Sequence, residues 1–129
     1  MAASVPEDLR RFILTSVPSV PFVEALLIFR DAAVPAGGAP VTIEALARRL
    51  YVGERQAAEI LEQLRVARFV ETLPEGTGHR YAPEPDLAPL LDQLAAAYRT
   101  HLVEVTALIH SRTGRMAQQF ADAFKLRKD

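Results

Sequence analysis

Residues 42–71, TIEALARRLYVGERQAAEILEQLRVARFVE, decide the fold. Thr42 is a good helix N-cap, because its hydroxyl can accept a hydrogen bond from a free N–H of the first turn. A first amphipathic helix follows it, and a second begins after the short segment YVG (51–53). The pattern therefore predicts two helices joined by a tight turn. Their core-facing positions are Ile43, Leu46, Ala47 and Leu50 in the first helix, and Ala57, Ile60, Leu61 and Leu64 in the second.

The residues after the second helix predict a β-hairpin. FVETL (69–73) and HRYAP (79–83) favour strands, and they flank PEGTG (74–78), whose glycines permit a turn. Val41 is placed to start a short strand that pairs with this hairpin. Two helices followed at once by a hairpin is the order of a winged helix-turn-helix. The predicted fold class is mainly α with a small β-hairpin wing, a winged helix-turn-helix plus long C-terminal helices.

Helical patterns flank this region on both sides. PEDLRRFIL (6–14) predicts a short helix, and residues 87–111 predict one long helix. We expect a winged helix-turn-helix core with its N-terminal helix over residues 1–83 and a C-terminal helical extension over residues 84–129, in one compact domain. A further helix from Pro21 carries a core-facing stripe that consists of Phe22, Ala25, Leu26 and Phe29.

Composition narrows the class of protein. The chain has 129 residues, half of them hydrophobic, which is enough for one domain with a core of its own. It has no cysteine, which excludes disulfides, thiolate zinc sites and cysteine nucleophiles and fits a reducing cytosol. The N-terminal residues do not resemble a signal peptide, and no apolar run approaches the length of a membrane span. We expect a cytoplasmic protein without membrane association.

The sequence does not favour catalysis. His79 lies in the predicted wing, while His101 and His110 are separated by about 13 Å along the predicted helix, too far to share a metal. There is no phosphate-binding loop, nucleophile elbow or dinucleotide-binding glycine motif. We expect no enzyme activity, no catalytic residues, no metal and no cofactor.

The pattern over residues 42–71 resembles the helix-turn-helix of the multiple-antibiotic-resistance and arsenic-repressor regulator families. In these proteins a t-x-x-x-L-A helix precedes a gV turn, a recognition helix ending in L-x-x-L and a G-h-V segment that starts the wing. Arg68 stands where the families usually have glycine, so the wing must start here without one. The resemblance implies a transcription regulator that binds duplex DNA as a dimer. The matching residues are Leu46, Ala47, Val52, Leu61, Leu64, Phe69 and Val70.

The resemblance makes residues 54–65 the recognition helix and residues 71–82 the wing. Arg55 or Gln56 could read guanine or adenine edges, and a glutamate can accept a hydrogen bond from a cytosine amino group. A wing arginine can enter a narrow minor groove. The predicted DNA-binding residues are Thr42, Arg55, Gln56, Glu59, Gln63, His79 and Arg80.

The charge of this region leaves a second interpretation open. Residues 42–71 contain five arginines and five glutamates, so their net charge is zero. Neutralisation of phosphates supplies most non-specific affinity for a duplex, and a neutral surface lacks that attraction. The alternative is a winged-helix protein–protein interaction module whose acidic recognition surface contacts a protein partner and does not bind DNA.

The C-terminal helices carry two apolar stripes. The first stripe either packs on the N-terminal helices of its own chain or forms the interface of a homodimer, as the resembled families usually build from terminal helices. The second has the spacing of a helix that docks in a groove, on its own core, on a protein partner or on a second subunit. The two sets are Leu91, Leu94, Tyr98, Leu102 and Val105, and Met116, Phe120 and Phe124.

Overall fold

The computed structural model describes residues 5–33, 40–76 and 78–111. It confirms the predicted fold class, because helices dominate and a two-stranded hairpin follows the helix-turn-helix. Met116, Phe120 and Phe124 lie outside the described residues. The helices are α1 (Glu7–Ser16), α2 (Val20–Ala33), α3 (Ile43–Leu50), α4 (Glu54–Val66), α5 (Ala88–Thr100) and α6 (Leu102–Ser111). The strands are β1 (Val70–Thr72) and β2 (His79–Tyr81), joined through a 3-10 turn at Pro74–Gly76.

The described residues fall into two compact units. The described residues from Pro21 to Leu91 form one unit, and those from Val5 to Val20 together with those from Asp92 to Ser111 form the other. The helix-turn-helix and the hairpin therefore lie within a single unit. The predicted division between residues 83 and 84 stays a prediction about domain organisation.

The predicted helix-turn-helix is confirmed in detail. The N–H of Ala45 donates to Thr42 Oγ1 at 3.1 Å, which makes Thr42 the N-cap of α3. Packing of α3 against α4 removes the apolar faces of both helices from water. Ile43 and Leu50, at the edge of the α3 stripe, are only half-buried. The buried set is Leu46, Ala47, Ala57, Ile60, Leu61 and Leu64.

Helix α3 ends in a Schellman motif that carries a tyrosine at its left-handed position. Tyr51 has φ 59°, its N–H donates to the carbonyl of Arg48 at 3.3 Å, and the N–H of Val52 donates to that of Ala47 at 3.1 Å. Glycine is the usual residue at this position, because a Cβ is disfavoured there. The turn between the two helices is thus made at some conformational cost.

Helix α4 ends in the same motif. Arg68 has φ 66°, its N–H donates to the carbonyl of Arg65 at 3.0 Å, and the N–H of Phe69 donates to that of Leu64 at 3.0 Å. The backbone therefore takes the left-handed conformation at the start of the wing even though the glycine is missing. The turn directs Phe69 into the core, where its ring packs edge-to-face on Phe22 of α2 with a centroid distance of 6.1 Å.

The segment before α3 pairs with strand β2 of the wing. Val41 and His79 exchange backbone hydrogen bonds of 2.8 and 2.9 Å, so the predicted pairing of Val41 with the hairpin is confirmed. Gly78 precedes this bridge with φ 123°, and a Cβ there would lie 3.2 Å from the carbonyl oxygen of Val41. A glycine is required here by both the backbone angle and the close approach.

The predicted continuous helix over residues 87–111 was wrong, because the chain bends at His101 between α5 and α6. Threonine hydroxyls donate back to the preceding turn on both sides of the bend. Thr100 Oγ1 donates to the carbonyl of Ala96 at 2.8 Å, and Thr106 Oγ1 donates to that of Leu102 at 2.9 Å. Such bonds compete with the helix ladder and often bend a helix.

The left-handed conformation of Arg68 leads to a prediction about stability. Both Arg68→Gly and Arg68→Ala remove the exposed guanidinium, which lies 3.5 Å from Glu84. Only Arg68→Gly also removes the Cβ, which is disfavoured at this backbone angle. We expect the glycine variant to exceed the alanine variant in free energy of unfolding by about 1 kcal/mol. Urea titration of the two variants measures this difference. Equal stabilities, or a more stable alanine variant, would contradict strain at Arg68.

Candidate nucleic-acid interface

Helix α4 has one buried face and one exposed face. Because the buried face is anchored in the core, the exposed side chains have a fixed direction relative to the hairpin. Arg55, Gln56, Glu59 and Gln63 are all exposed, and Glu59 lies three or four residues from each of the others, which makes it their neighbour on the helix surface. The structure therefore brings the four predicted residues of α4 together. We call this surface, formed by Glu54, Arg55, Gln56, Glu59, Glu62 and Gln63, the outer face of α4.

The N-terminal end of α4 carries a guanidinium that is open to a ligand. Gly53 is the N-cap and provides no side-chain hydrogen bond to the first turn. Arg55 is exposed, and its guanidinium makes no ion pair or hydrogen bond within residues 5–33, 40–76 and 78–111. Arg55 is therefore free to approach a base or a phosphate without leaving an acidic partner.

The other arginines near the wing are paired with carboxylates. Arg80 lies directly opposite Glu71 on the neighbouring strand, and its Nε is 2.6 Å from Glu71 Oε1. Arg65 binds both carboxylate oxygens of Glu62, at 2.9 and 2.5 Å, and this hydrogen bond lowers the pKa of the Glu62 carboxyl. Exposed pairs of this kind are weak and can exchange partners. They nevertheless cancel much of the positive field that a phosphate would meet.

His79 is more buried than its predicted role as a DNA-contacting residue requires. Its side chain is half-buried, Nδ1 has no hydrogen-bond partner among the described residues, and burial lowers the pKa of the imidazole. The ring is therefore neutral near pH 7 and does not add a positive charge to the wing. The DNA contact of His79 stays a prediction, in which the imidazole acts as a neutral group.

Thr42 and Tyr51 lie at opposite ends of α3. Thr42 is exposed, and its hydroxyl oxygen accepts the capping bond while its proton is left to donate elsewhere. Tyr51 is 95% exposed in the turn before α4, and sequence reasoning missed it. The available signal was its position, because Tyr51 stands where the resembled families have the first residue of their gV turn.

The residues predicted for an interface on α5 and α6 differ in how far they are buried. Leu91, Leu94 and Val105 are fully buried within the single chain. Leu102 is 47% exposed and Tyr98 is half-buried. A shallow cleft of ≈ 560 Å³ lies beside Leu102, lined also by Arg99, His101 and the 81% exposed Val103.

A second shallow cleft lies beside the hairpin. It has a volume of ≈ 400 Å³ and is lined by residues from the end of α4, from β1 and from the segment after β2, among them Arg65, Arg68, Glu71 and Glu84. Its walls alternate in charge and are wide open to solvent, so it is not a small-molecule pocket of the usual enclosed, apolar kind.

Within the described part of the chain, no three histidine or acidic side chains are grouped so as to hold a metal ion. No single described helix is long and apolar enough to cross a bilayer, although α1 and α2 together meet the test of length and composition as a bent pair.

No family model matches the sequence, and no curated protein matches it. Among solved structures, a chain described as a MarR family transcription regulator is similar, with 23% identity and a TM-score of 0.47. The match covers 92% of this chain and 82% of that chain. The winged helix itself is evident from the order and hydrogen bonds of α3, α4, β1 and β2.

The burial of His79 predicts a dependence of stability on pH. Because the folded state lowers the pKa of this imidazole, its neutral form contributes fully above the unfolded pKa of about 6.5, and stability is lost as the pH falls below that value. We expect the melting temperature to fall between pH 7.5 and 5.5 by less in His79→Gln than in the wild type. An NMR titration should place the pKa of His79 below 6.5. A titration above that value, with equal pH profiles for both proteins, would contradict the assignment.

Proposed function

We propose that this protein is a DNA-binding transcription regulator that reads duplex DNA with α4 and the β1–β2 wing. The observation that supports it best is the outer face of α4, a continuous exposed helix surface with base-reading side chains and a hairpin that follows directly. The major groove of B-DNA, about 12 Å wide, admits an α-helix. Nothing in the core would have to move for this face to enter it.

Each predicted residue has a role in this proposal. Arg55 pairs with the N7 and O6 of guanine, Gln56 with the N6 and N7 of adenine, and Glu59 accepts from the amino group of cytosine. Gln63, further along the same face, serves as an additional base contact. Thr42, His79 and Arg80 contact the sugar–phosphate backbone or the minor groove of the duplex. These contacts fix the position of the protein on DNA and contribute little to the choice of sequence.

The charges on this surface set the character of the binding. Because Arg65 and Arg80 are engaged by carboxylates, each of these two arginines neutralises a phosphate only if its ion pair opens. When the logarithm of the binding constant is plotted against the logarithm of salt concentration, each phosphate contact on B-DNA contributes about −0.9 to the slope. We therefore propose modest non-specific affinity, with discrimination that comes mainly from base contacts on α4.

Binding to a random-sequence duplex tests the proposal. We expect fluorescence anisotropy to show binding at low ionic strength and weakening as salt rises, because phosphate contacts release counterions. With a selected site, Arg55→Ala should relax sequence preference by about 1–3 kcal/mol at one position, whereas Arg80→Ala should weaken all sequences alike. Absence of binding at low ionic strength would overturn the DNA-binding proposal.

A matched pair of variants serves as the control for this experiment. Glu71→Gln removes the carboxylate that holds Arg80, and Glu7→Gln removes one exposed negative charge from α1. The Glu71 variant should bind the duplex more tightly than the Glu7 variant, because it frees a guanidinium in addition to changing the net charge. Equal effects would show that Arg80 does not contact DNA.

The alternative function is a winged-helix protein–protein interaction module. It is favoured by a specific observation, since the outer face of α4 carries Glu54, Glu59 and Glu62 but only one unpaired arginine. A basic surface on a protein partner would complement these carboxylates better than a duplex does. The salt titration separates the two functions, because this module shows no DNA binding at any ionic strength.

We also propose that the protein acts as a homodimer. A two-fold dimer would place two α4 helices about 34 Å apart, one turn of the duplex. Of the apolar residues predicted for the interface on α5 and α6, Leu91, Leu94 and Val105 are buried within the chain, whereas Leu102 is 47% exposed. A dimer formed through α6 would therefore centre on Leu102.

Sedimentation tests the dimer and its location. We expect the wild type to sediment as a dimer at micromolar concentration and Leu102→Glu to sediment as a monomer, because a buried carboxylate would be left unpaired at the interface. Val66→Glu, at an apolar residue of α4 that is 66% exposed, is the control and should remain dimeric. A monomeric wild type would remove the dimer from the proposal.

A further inference from the structure

Tyr51 combines two unfavourable properties that the fold does not explain. Its backbone is held at φ 59°, a conformation in which a residue with a Cβ is disfavoured. The residue is also 95% exposed, so little of its apolar surface is removed from water. Its hydroxyl makes no hydrogen bond within the residues that the structure describes. Glycine at this position would serve the turn better in each respect.

Arg68 is the other left-handed residue with a Cβ in the described part of the chain. Arg68 occupies the same position at the end of α4, but its guanidinium reaches Glu84 at 3.5 Å. Tyr51 has no such contact within the described part of the chain. Backbone strain of this kind clusters at functional sites, and Tyr51 lies in the turn that leads into α4.

The location of Tyr51 suggests what its side chain meets. The turn is held by two backbone hydrogen bonds, from the N–H groups of Tyr51 and Val52, so the ring projects from a rigid base. Gly53, the N-cap of α4, is two residues away along the chain, and Arg55 is four. A ligand that contacts the first turn of α4 therefore passes beside Tyr51.

We infer that Tyr51 donates a hydrogen bond from its phenol hydroxyl to a phosphate of the duplex, beside the point where the first turn of α4 meets the bases. The inference rests on the proposed DNA-binding function. Tyrosine hydroxyls are among the groups that contact phosphates and fix the register of a protein on DNA. A base contact is less well matched, because the residues that face the bases in the proposed complex are on α4 and Tyr51 precedes that helix.

The test measures stability and DNA binding in the same variants. Tyr51→Phe keeps the ring and removes the hydroxyl, and Tyr51→Gly removes the strain together with the side chain. We expect Tyr51→Gly to melt a few degrees higher than the wild type and to bind the duplex about tenfold more weakly. Tyr51→Phe should melt as the wild type does and lose affinity to a similar extent, on all sequences alike.

The salt dependence adds a readout that a purely structural role would not give. The phenol is neutral, so its loss should lower affinity at every salt concentration while the slope with salt stays as in the wild type. Gln93→Ala, which changes an exposed neutral side chain of α5 away from α4 and the hairpin in the sequence, is the control and should bind as the wild type does.

The outcomes separate this inference from the function on which it rests. A wild type that does not bind a duplex overturns both. If the wild type binds and both Tyr51→Phe and Tyr51→Gly bind as tightly as the wild type, the phosphate contact is overturned and the DNA-binding function stands. Loss of affinity in Tyr51→Gly alone would show that the ring, and not the hydroxyl, makes the contact, which also overturns the inference as stated.

Discussion

The two left-handed residues that bound α4 are the constraint on which the rest of the winged helix depends. Tyr51 ends α3 and sets where α4 begins, and Arg68 ends α4 and directs Phe69 into the core. Between them, the buried side of α4 is held against α3. Since both ends and one side of the helix are fixed, the direction of its outer face is fixed too. The orientation of the outer face of α4 is thus a consequence of how two helices terminate.

The same architecture explains why the surface is polar but not basic. Positions on the outer face are free of packing demands, and in this sequence they are occupied by glutamates as often as by arginines and glutamines. Register then pairs Glu71 with Arg80 across the hairpin, and helix spacing pairs Glu62 with Arg65. The surface offers hydrogen-bonding groups with a small net field. Such a surface discriminates between partners by direct contacts more than by electrostatic attraction.

Much of the fold could be predicted because local chemistry determined it. Thr42 caps α3, Val41 bridges to the hairpin, and the apolar faces of the two central helices follow the helical period. The sequence could not show that Tyr51 and Arg68 keep a conformation that their side chains disfavour, because this depends on the hydrogen bonds of the finished turn. The bend at His101 was missed for a similar reason, since a threonine in a helix bonds back to the preceding turn only in some rotamers.

The candidate site was less predictable than the fold. The exposure of Arg55, Gln56, Glu59 and Gln63 followed from periodicity, and all four lie on one face. The burial of His79 and the pairing of Arg80 depend on strand register, which a three-residue strand does not reveal in advance. Likewise, an apolar stripe such as that of α5 does not say whether its partner is the same chain or another.

Amide chemical shifts of the labelled protein, recorded as a duplex is added, test the central claim most directly. If α4 and the wing form the recognition surface, the changes will concentrate at residues 51–59 and 79–81 and will be small along α6. A duplex that binds but perturbs mainly residues 99–107, while the amides of α4 stay unchanged, would contradict the account.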